Sequence, residues 1–242
     1  MRLKCGPDPE FPYLTEHERL QFPPPLPHDD VVAVGGNLSP GMLLSAYENG
    51  IFPWYNEGQP LLWQSPDPRF VLYPSGLHVS KSMRKILRQE RFDIRFDTAF
   101  DAVIANCAEI KRSRDGGTWI TADMRAAYRT MHRIGYAHSA EAFFNGELAG
   151  GCYGILLTKK GGGPERSLEA AQNGRVFFGE SMFSRVPNAS KAAFLALAQK
   201  LFSLGLKLID CQVWSAHLES LGAVEIARNE FLYAINSLLT QA

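Results

Sequence analysis

Apolar and polar positions change rhythm along this chain, and those changes predict its elements. From Phe11 to Asp30 there is no rhythm: prolines, among them Pro23, Pro24, Pro25 and Pro27, remove backbone donors and resist both helix interiors and central strands. That stretch predicts an extended arm or irregular surface cover. VVAVGGNLSPGMLLSAYENGIFPWY then predicts a short strand, a turn and a helix, with Ser39 ahead of the helix, Pro40 at its first position and Gly50 beyond its last turn. After Trp54, LLWQSPDPRFVLYP is aromatic and broken by proline, and Ser80 begins a helix whose apolar Met83, Ile86 and Leu87 share one side. Its other side carries Lys81, Arg84, Lys85 and Arg88.

Further along the rhythm is more regular. Phe100, Val103, Ile104 and Cys107 follow the helical period from about Thr98 to Ile110; Met124, Ala127, Tyr128 and Met131 repeat it, with Thr121 as the cap and Gly135 as the end. His138–Phe144 and Glu147–Leu157 flank Asn145-Gly146, the dipeptide suited to the positive dihedrals of a tight hairpin turn. The polar, glycine-rich stretch Thr158 to Asn173 predicts a long flexible loop before the strand RVFFGESMFS. Asn188 or Ser190 then caps a helix with Phe194, Leu197, Ala198 and Leu201 on one face, Gly205 closes it, and KLIDCQV reads as a buried strand before a short helix, a strand and a last helix. The expected class is α+β: a small N-terminal domain over residues 1–92, then over 93–242 a mainly antiparallel sheet flanked by helices, in an order similar to GNAT-like acyltransferases.

Composition narrows the function classes. In 242 residues, 25 Lys and Arg balance 25 Asp and Glu, so no overall field draws the molecule onto nucleic acid or membrane, and any basic site is local. Cys5, Cys107, Cys152 and Cys211 form no CxxC pair or Cys/His cluster, which argues against structural zinc and a disulfide framework. With no signal-peptide pattern and no apolar run of membrane-spanning length, a soluble cytoplasmic protein with no membrane partner is expected.

The densest candidate chemistry lies on the strand 207–213, where alternation puts Leu208, Asp210 and Gln212 on one face and Ile209, Cys211 and Val213 on the other. In RVFFGESMFS the same alternation puts Phe178, Glu180 and Met182 together, so a neighbouring pairing would gather Glu180, Asp210 and Gln212 around one pocket. On spacing alone, these groups equally fit strand ends that satisfy backbone donors.

The strings GGNLSPGMLLSAYENGIFPWY, WQSPDPR, GTWIT, AHSAEA, FFGESMFSR, NASKAA and LIDCQVWSAHLESLGA, in this order from about Val34 to Ala223, resemble the leucyl/phenylalanyl-tRNA-protein transferases. The loop 158–173 and both termini depart from that pattern. The resemblance implies an enzyme that moves leucine or phenylalanine, less readily methionine, from aminoacyl-tRNA to proteins beginning with lysine or arginine, tagging them for degradation. Because the ester is already activated, no cofactor or metal is expected. By the same resemblance, Gln212 contacts the attacking amine, Asp210 orients or polarises that amide, and Glu180 complements the amine or the basic first residue. Cys152, Phe177, Met182, Phe194, Leu197 and Ile209 would form the apolar pocket, although such residues are more often plain core. Trp54 and Trp119, with Tyr47, Phe52 and Tyr128, would receive the terminal adenosine, or on a blander reading join two domains. Lys81, Arg84, Lys85 and Arg88, with Arg91 and the run Lys111 to Arg114, would hold acceptor-stem phosphates.

Three rivals stand beside this. An acetyl-CoA N-acetyltransferase would cradle pyrophosphate on a glycine-rich turn, yet Arg185 to Ser190 contains no glycine. A cysteine hydrolase built on Cys211 and His217 needs Cys211 on the face that Asp210 and Gln212 occupy. A non-catalytic tRNA-binding module would have no need of Asp210 and Gln212.

Overall fold

A computed structural model describes residues 4–110, 119–168 and 174–240. The N-terminal part is β1 (Val31–Val34), α1 (Pro40–Tyr47), β2 (Phe52–Pro53), β3 (Leu62–Gln64) and β4 (Arg69–Leu72). Residues 11–30 form no helix or strand, and two of their backbone groups bond to side chains of the α1 segment. The Leu14 and Leu20 N–H groups donate to Ser39 Oγ at 3.1 Å and Ser45 Oγ at 2.8 Å. Ser39, expected to cap α1, therefore fastens the arm over it instead. Every residue of α1 is buried, and Gly41 permits this: a Cβ there would lie 2.4 Å from the Thr15 carbonyl oxygen.

After β4 come α2 (Lys81–Arg88), β5 (Asp93–Phe96), α3 (Phe100–Glu109), α4 (Ala122–Arg133), β6 (Ala137–Phe144), β7 (Glu147–Leu157), β8 (Val176–Ser184) and α5 (Ala189–Ser203). The described chain ends with β9 (Leu208–Gln212), α6 (Ala216–Glu219), β10 (Val224–Ile226) and α7 (Arg228–Thr240). The order β1-β3-β2 makes a small sheet, and β10-β4-β9-β8-β7-β6-β5 a seven-stranded one. Among these strands only β8 and β9 pair in parallel; the other pairs are antiparallel. The α+β class with a mainly antiparallel sheet is as the pattern predicts. The β6–β7 hairpin turns on Asn145 at φ 54° and Gly146 at φ 83°, the left-handed dihedrals that dipeptide favours.

Three expectations need adjusting. β4 lies before residue 92 yet sits between β10 and β9, so the large sheet takes strands from both sides of the division at 1–92 and 93–242. β5, an edge strand, has no counterpart in the periodic reading because its burial only alternates between exposed and partly buried. The stretch from Thr158 is not loose over its described residues. Lys160 N–H donates to Leu239 O at 2.9 Å, Gly161 N–H to Glu48 Oε1 at 2.9 Å, the Tyr136 hydroxyl to Gly162 O at 2.9 Å, and Leu168 is buried.

The large sheet separates two apolar clusters. One gathers α1, α3, α4 and α7 with Tyr153, Phe178 and Phe183; the other packs α5 against Cys152, Phe177, Ile209 and Cys211. They approach each other where β8 and β9 part.

Candidate active site

β8 and β9 pair only over Val176–Phe178 with Leu208–Asp210. Beyond that point β8 continues to Ser184 against β7 alone, while Gln212 pairs with Phe70 of β4. The two strands separate, and a cavity of about 600 Å³ opens there. Its wall takes Cys152, Phe177, Met182 and Phe194 from one side of the sheet, Phe52, Trp54 and Trp119 from the other, and Glu180 and Gln212 at the junction.

Glu180 stands there because β8 carries a bulge. Tyr153 pairs with Ser181 but Gly154 with Gly179, leaving Glu180 as the extra residue; bulges re-aim a side chain in this way. The bulge also breaks the alternation, so that Phe178 and Met182, expected on one side, lie in opposite clusters. Glu180 Oε1 accepts from the Tyr47 hydroxyl at 2.7 Å and from Gln212 Nε2 at 2.9 Å, and Oε2 accepts from the Tyr128 hydroxyl at 2.8 Å. The two phenol oxygens also lie side by side, within hydrogen-bonding reach of each other. Burial pushes the Glu180 carboxyl from 4.5 up to about 7, against the pull of hydrogen bonds from Tyr47, Tyr128 and Gln212. Both tyrosines are raised well above their ordinary value, first by burial and then by the Glu180 charge, so they remain donors.

Asp210 is fully buried and grips another residue, Arg69. The Arg69 Nε and Nη2 groups donate to Asp210 Oδ1 and Oδ2 at 2.9 and 2.6 Å. Asp210 Oδ1 also accepts the Gln212 backbone N–H at 2.9 Å. The Cys152 and Cys211 thiols are pushed up chiefly by burial, which leaves them protonated and poor nucleophiles. Among the described residues no group of three or more His, Cys, Asp or Glu could hold a metal ion, and no helix is long and apolar enough to cross a membrane.

Residues 36–67 match the model of the leucyl/phenylalanyl-tRNA protein transferase N-terminal domain, and residues 71–163 and 168–236 match that of leucyl/phenylalanyl-tRNA protein transferase. The chain belongs to the leucyl/phenylalanyl-tRNA protein transferase family. Similar relatives, each named leucyl/phenylalanyl-tRNA–protein transferase, include that of Aromatoleum aromaticum, 51% identical over 92% of this chain and 84% of the relative. Those of Syntrophobacter fumaroxidans (50% identical; 92% and 89% covered) and Myxococcus xanthus (49%; 91% and 88%) are similar to the same degree. A solved GCN5-related N-acetyltransferase from Kribbella flavida matches with a TM-score of 0.36 and 12% identity over 78% of this chain and 62% of that one; at that level the likeness carries no argument. The break in the transferase match after residue 163 falls inside the stretch 158–173.

In this member of the transferase family the expected site residues divide by position. Glu180, Gln212, Phe52, Trp54, Trp119, Cys152, Phe177, Met182 and Phe194 reach the cavity wall. Leu197 and Ile209, expected in the apolar pocket, are instead closed within the α5 cluster, away from the wall. Tyr47 and Tyr128, expected against the adenosine, stand behind Glu180 and serve as its donors. Asp210, expected to act on the Gln212 amide, bonds the Gln212 main chain, while the side-chain amide goes to Glu180. Cys211 also contributes to the wall, although its strand position faces the α5 cluster.

Lys81, Arg84, Lys85 and Arg88 are exposed on α2, which Ser80 caps by accepting the Met83 N–H at 3.2 Å. None makes an ion pair with a described residue, and Lys81, Arg84 and Arg88 line a groove with His78 and Gln199. Arg91 lies over the Phe92 and Phe144 rings; Lys111 to Arg114 fall outside the described residues. Arg69, buried against Asp210, is a residue beside the site that sequence reasoning did not single out. Its signal was an arginine heading the apolar run RFVLYP, where a buried cation requires a buried partner.

Proposed function

We propose that this chain is an aminoacyltransferase that moves leucine or phenylalanine, and less readily methionine, from aminoacyl-tRNA to proteins whose first residue is lysine or arginine, marking them for degradation. The observation that carries this reading, beside family membership, is an apolar cavity that ends at a buried carboxylate with acceptor capacity to spare. An ionised carboxylate offers about four lone-pair positions. Tyr47, Tyr128 and Gln212 fill three of them, and the remaining one is available to an amine.

The reaction is aminolysis of an ester. The acceptor's α-amine attacks the carbonyl carbon, a C–N bond forms, the C–O bond to the ribose breaks, and the proton lost by nitrogen ends on the departing ribose hydroxyl. An α-amino group titrates at about 8, close to Glu180 at about 7, so proton transfer between them costs little. Glu180 orients the amine and receives its proton, and the Gln212 amide, fixed through Nε2, turns its carbonyl oxygen toward the same nitrogen. Cys152, Phe177, Met182 and Phe194 surround the leucyl or phenylalanyl side chain, and Trp54 and Trp119 offer flat surfaces to the terminal adenosine. The cations of α2 receive backbone phosphates with little regard to sequence. No ATP or metal enters, because the aminoacyl ester is already activated. Substrates of this kind belong to the cytoplasm.

The test is transfer of labelled leucine or phenylalanine from charged tRNA to peptides beginning with arginine, lysine or alanine, with acetyl-CoA offered separately. Transfer to the two basic peptides alone supports the reading. Acetylation instead would overturn it in favour of the coenzyme A rival, and tRNA binding without either product would leave a binding module.

A further inference from the structure

We infer that Arg69 is a positioning residue: by holding Asp210 it sets the backbone of Gln212, and through that backbone it aims the Gln212 amide at Glu180. The kinetic part of this inference rests on the transfer reading above.

Arg69 opens β4, and its side chain, like that of Asp210, is 0% exposed. Its guanidinium lies 4.8 Å from the Phe52 ring centroid and 4.4 Å from that of Phe231, which comes from α7. Such burial is expensive. Taking two charges out of water commonly costs more than their attraction returns, and apolar replacements of buried ion pairs are often neutral or stabilising. Nor is the guanidinium satisfied: Nη1 is buried with no hydrogen-bond partner among the described residues. Fold stability therefore does not account for the pair, and what it achieves geometrically does.

That achievement is at Gln212. Its φ is 65°, in the left-handed region that a residue with a Cβ seldom occupies. Two bonds brace that turn: the Val213 N–H donates to the Cys211 carbonyl across Gln212 at 2.9 Å, and Asp210 Oδ1, already fixed by Arg69 Nε, accepts the Gln212 N–H that enters it. The turn brings Gln212 Nε2 within 2.9 Å of Glu180 Oε1. An extended backbone at Gln212 would swing its Cβ and break this hydrogen bond. Asp210 thus reaches the site through the main chain, and Arg69 acts through Asp210.

The experiment compares wild type with Arg69→Met, Asp210→Asn and the double variant, which replaces the buried pair by uncharged groups. Thermal melting confirms folding; should Arg69→Met fail to fold, Arg69→Lys, which keeps the charge but loses the two-pronged grip, takes its place. In protein carrying 15N-glutamine, the Gln212 side-chain amide is identified by its loss in Gln212→Met. Its protons are expected to exchange slowly with solvent in wild type and fast in all the variants. Persistence of slow exchange in the folded double variant would overturn the inference, whether or not the wild type transfers anything. If wild type is active, kcat should fall at least tenfold with KM for aminoacyl-tRNA within twofold, and the double variant should be no worse than the worse single. Recovery of activity in the double variant, or losses that multiply, would mean that the pair serves the fold or that its members act separately, and either result sinks the proposal.

Discussion

Replacing Glu180 by Gln tests the site through stability alone. The carboxyl is buried and lifted from 4.5 to about 7, so in the interval between those values the folded state holds a proton that the unfolded state has released. Stability must therefore fall as pH rises through that window and level off above it. At ~1.4 kcal/mol per pH unit, the interval from 4.5 to about 7 corresponds to roughly 3 kcal/mol, most of it lost between pH 5 and pH 8. Gln has nearly the same shape and does not titrate. Urea unfolding of both proteins at several pH values isolates the effect, because Glu141, which burial also raises, contributes equally to both. The difference in unfolding free energy between wild type and Glu180→Gln should shift by about 2 to 3 kcal/mol in the variant's favour from pH 5 to pH 8. Curves that stay parallel would show that Glu180 is ordinarily ionised in the fold, and its matching to the amine would go with it.

Other expectations follow from the same geometry. Transfer by wild type should rise with pH through about 7 as Glu180 loses its proton, and Glu180→Gln should lack that rise in its kcat/KM profile. Trp54→Ala should weaken binding of a short CCA-ended substrate by about 1 to 3 kcal/mol, measured by titration, with little change in melting temperature. Alanine at Lys81, Arg84, Lys85 and Arg88 together should flatten the dependence of tRNA affinity on salt, by roughly 0.7 to 0.9 in logarithmic slope for each phosphate no longer neutralised, while the transfer rate at saturation holds. Gly154→Ala should destabilise by at least about 2 kcal/mol in urea unfolding, since its Cβ would sit 2.2 Å from the Phe178 carbonyl oxygen beside the bulge.

What the sequence disclosed depended on the range of the interaction. The Asn145-Gly146 turn, the caps at Ser80 and Thr121 and the periodic faces of α3 and α4 are local, and the folded chain keeps them. Strand alternation put Gln212 beside Glu180, and the two do meet, but through a bulge and a left-handed turn that alternation does not contain. It failed at the bulge, because an extra residue in β8 is decided by the partner strand β7 and leaves no mark in β8 itself. Arg69 was missed for a similar reason: its partner Asp210 is 141 positions away, and nothing near Arg69 in the chain declares a carboxylate. The family resemblance assigned Tyr47 and Tyr128 to the site, but not their place behind Glu180, since a buried phenol and a stacking surface look alike in sequence. β4 was not read as a strand because its stretch is broken by prolines, which lie just outside its ends.

The helix α7 has a bearing on the order in which the protein becomes competent. The last residue on the cavity wall is Leu218, yet the guanidinium that braces the Asp210 side chain rests against Phe231, further along the chain. Arg228 joins the same helix to the beginning of the chain, donating to the carbonyls of Leu26, Asp29 and Ser65. Since a protein emerges from the ribosome N-terminus first, a chain halted just after Leu218 would carry every group that lines the site, Arg69 and Asp210 included, without the ring that backs the Arg69 guanidinium. Competence is thus withheld until α7 has followed, and a ribosome-bound fragment has the ingredients of the enzyme before it has the enzyme.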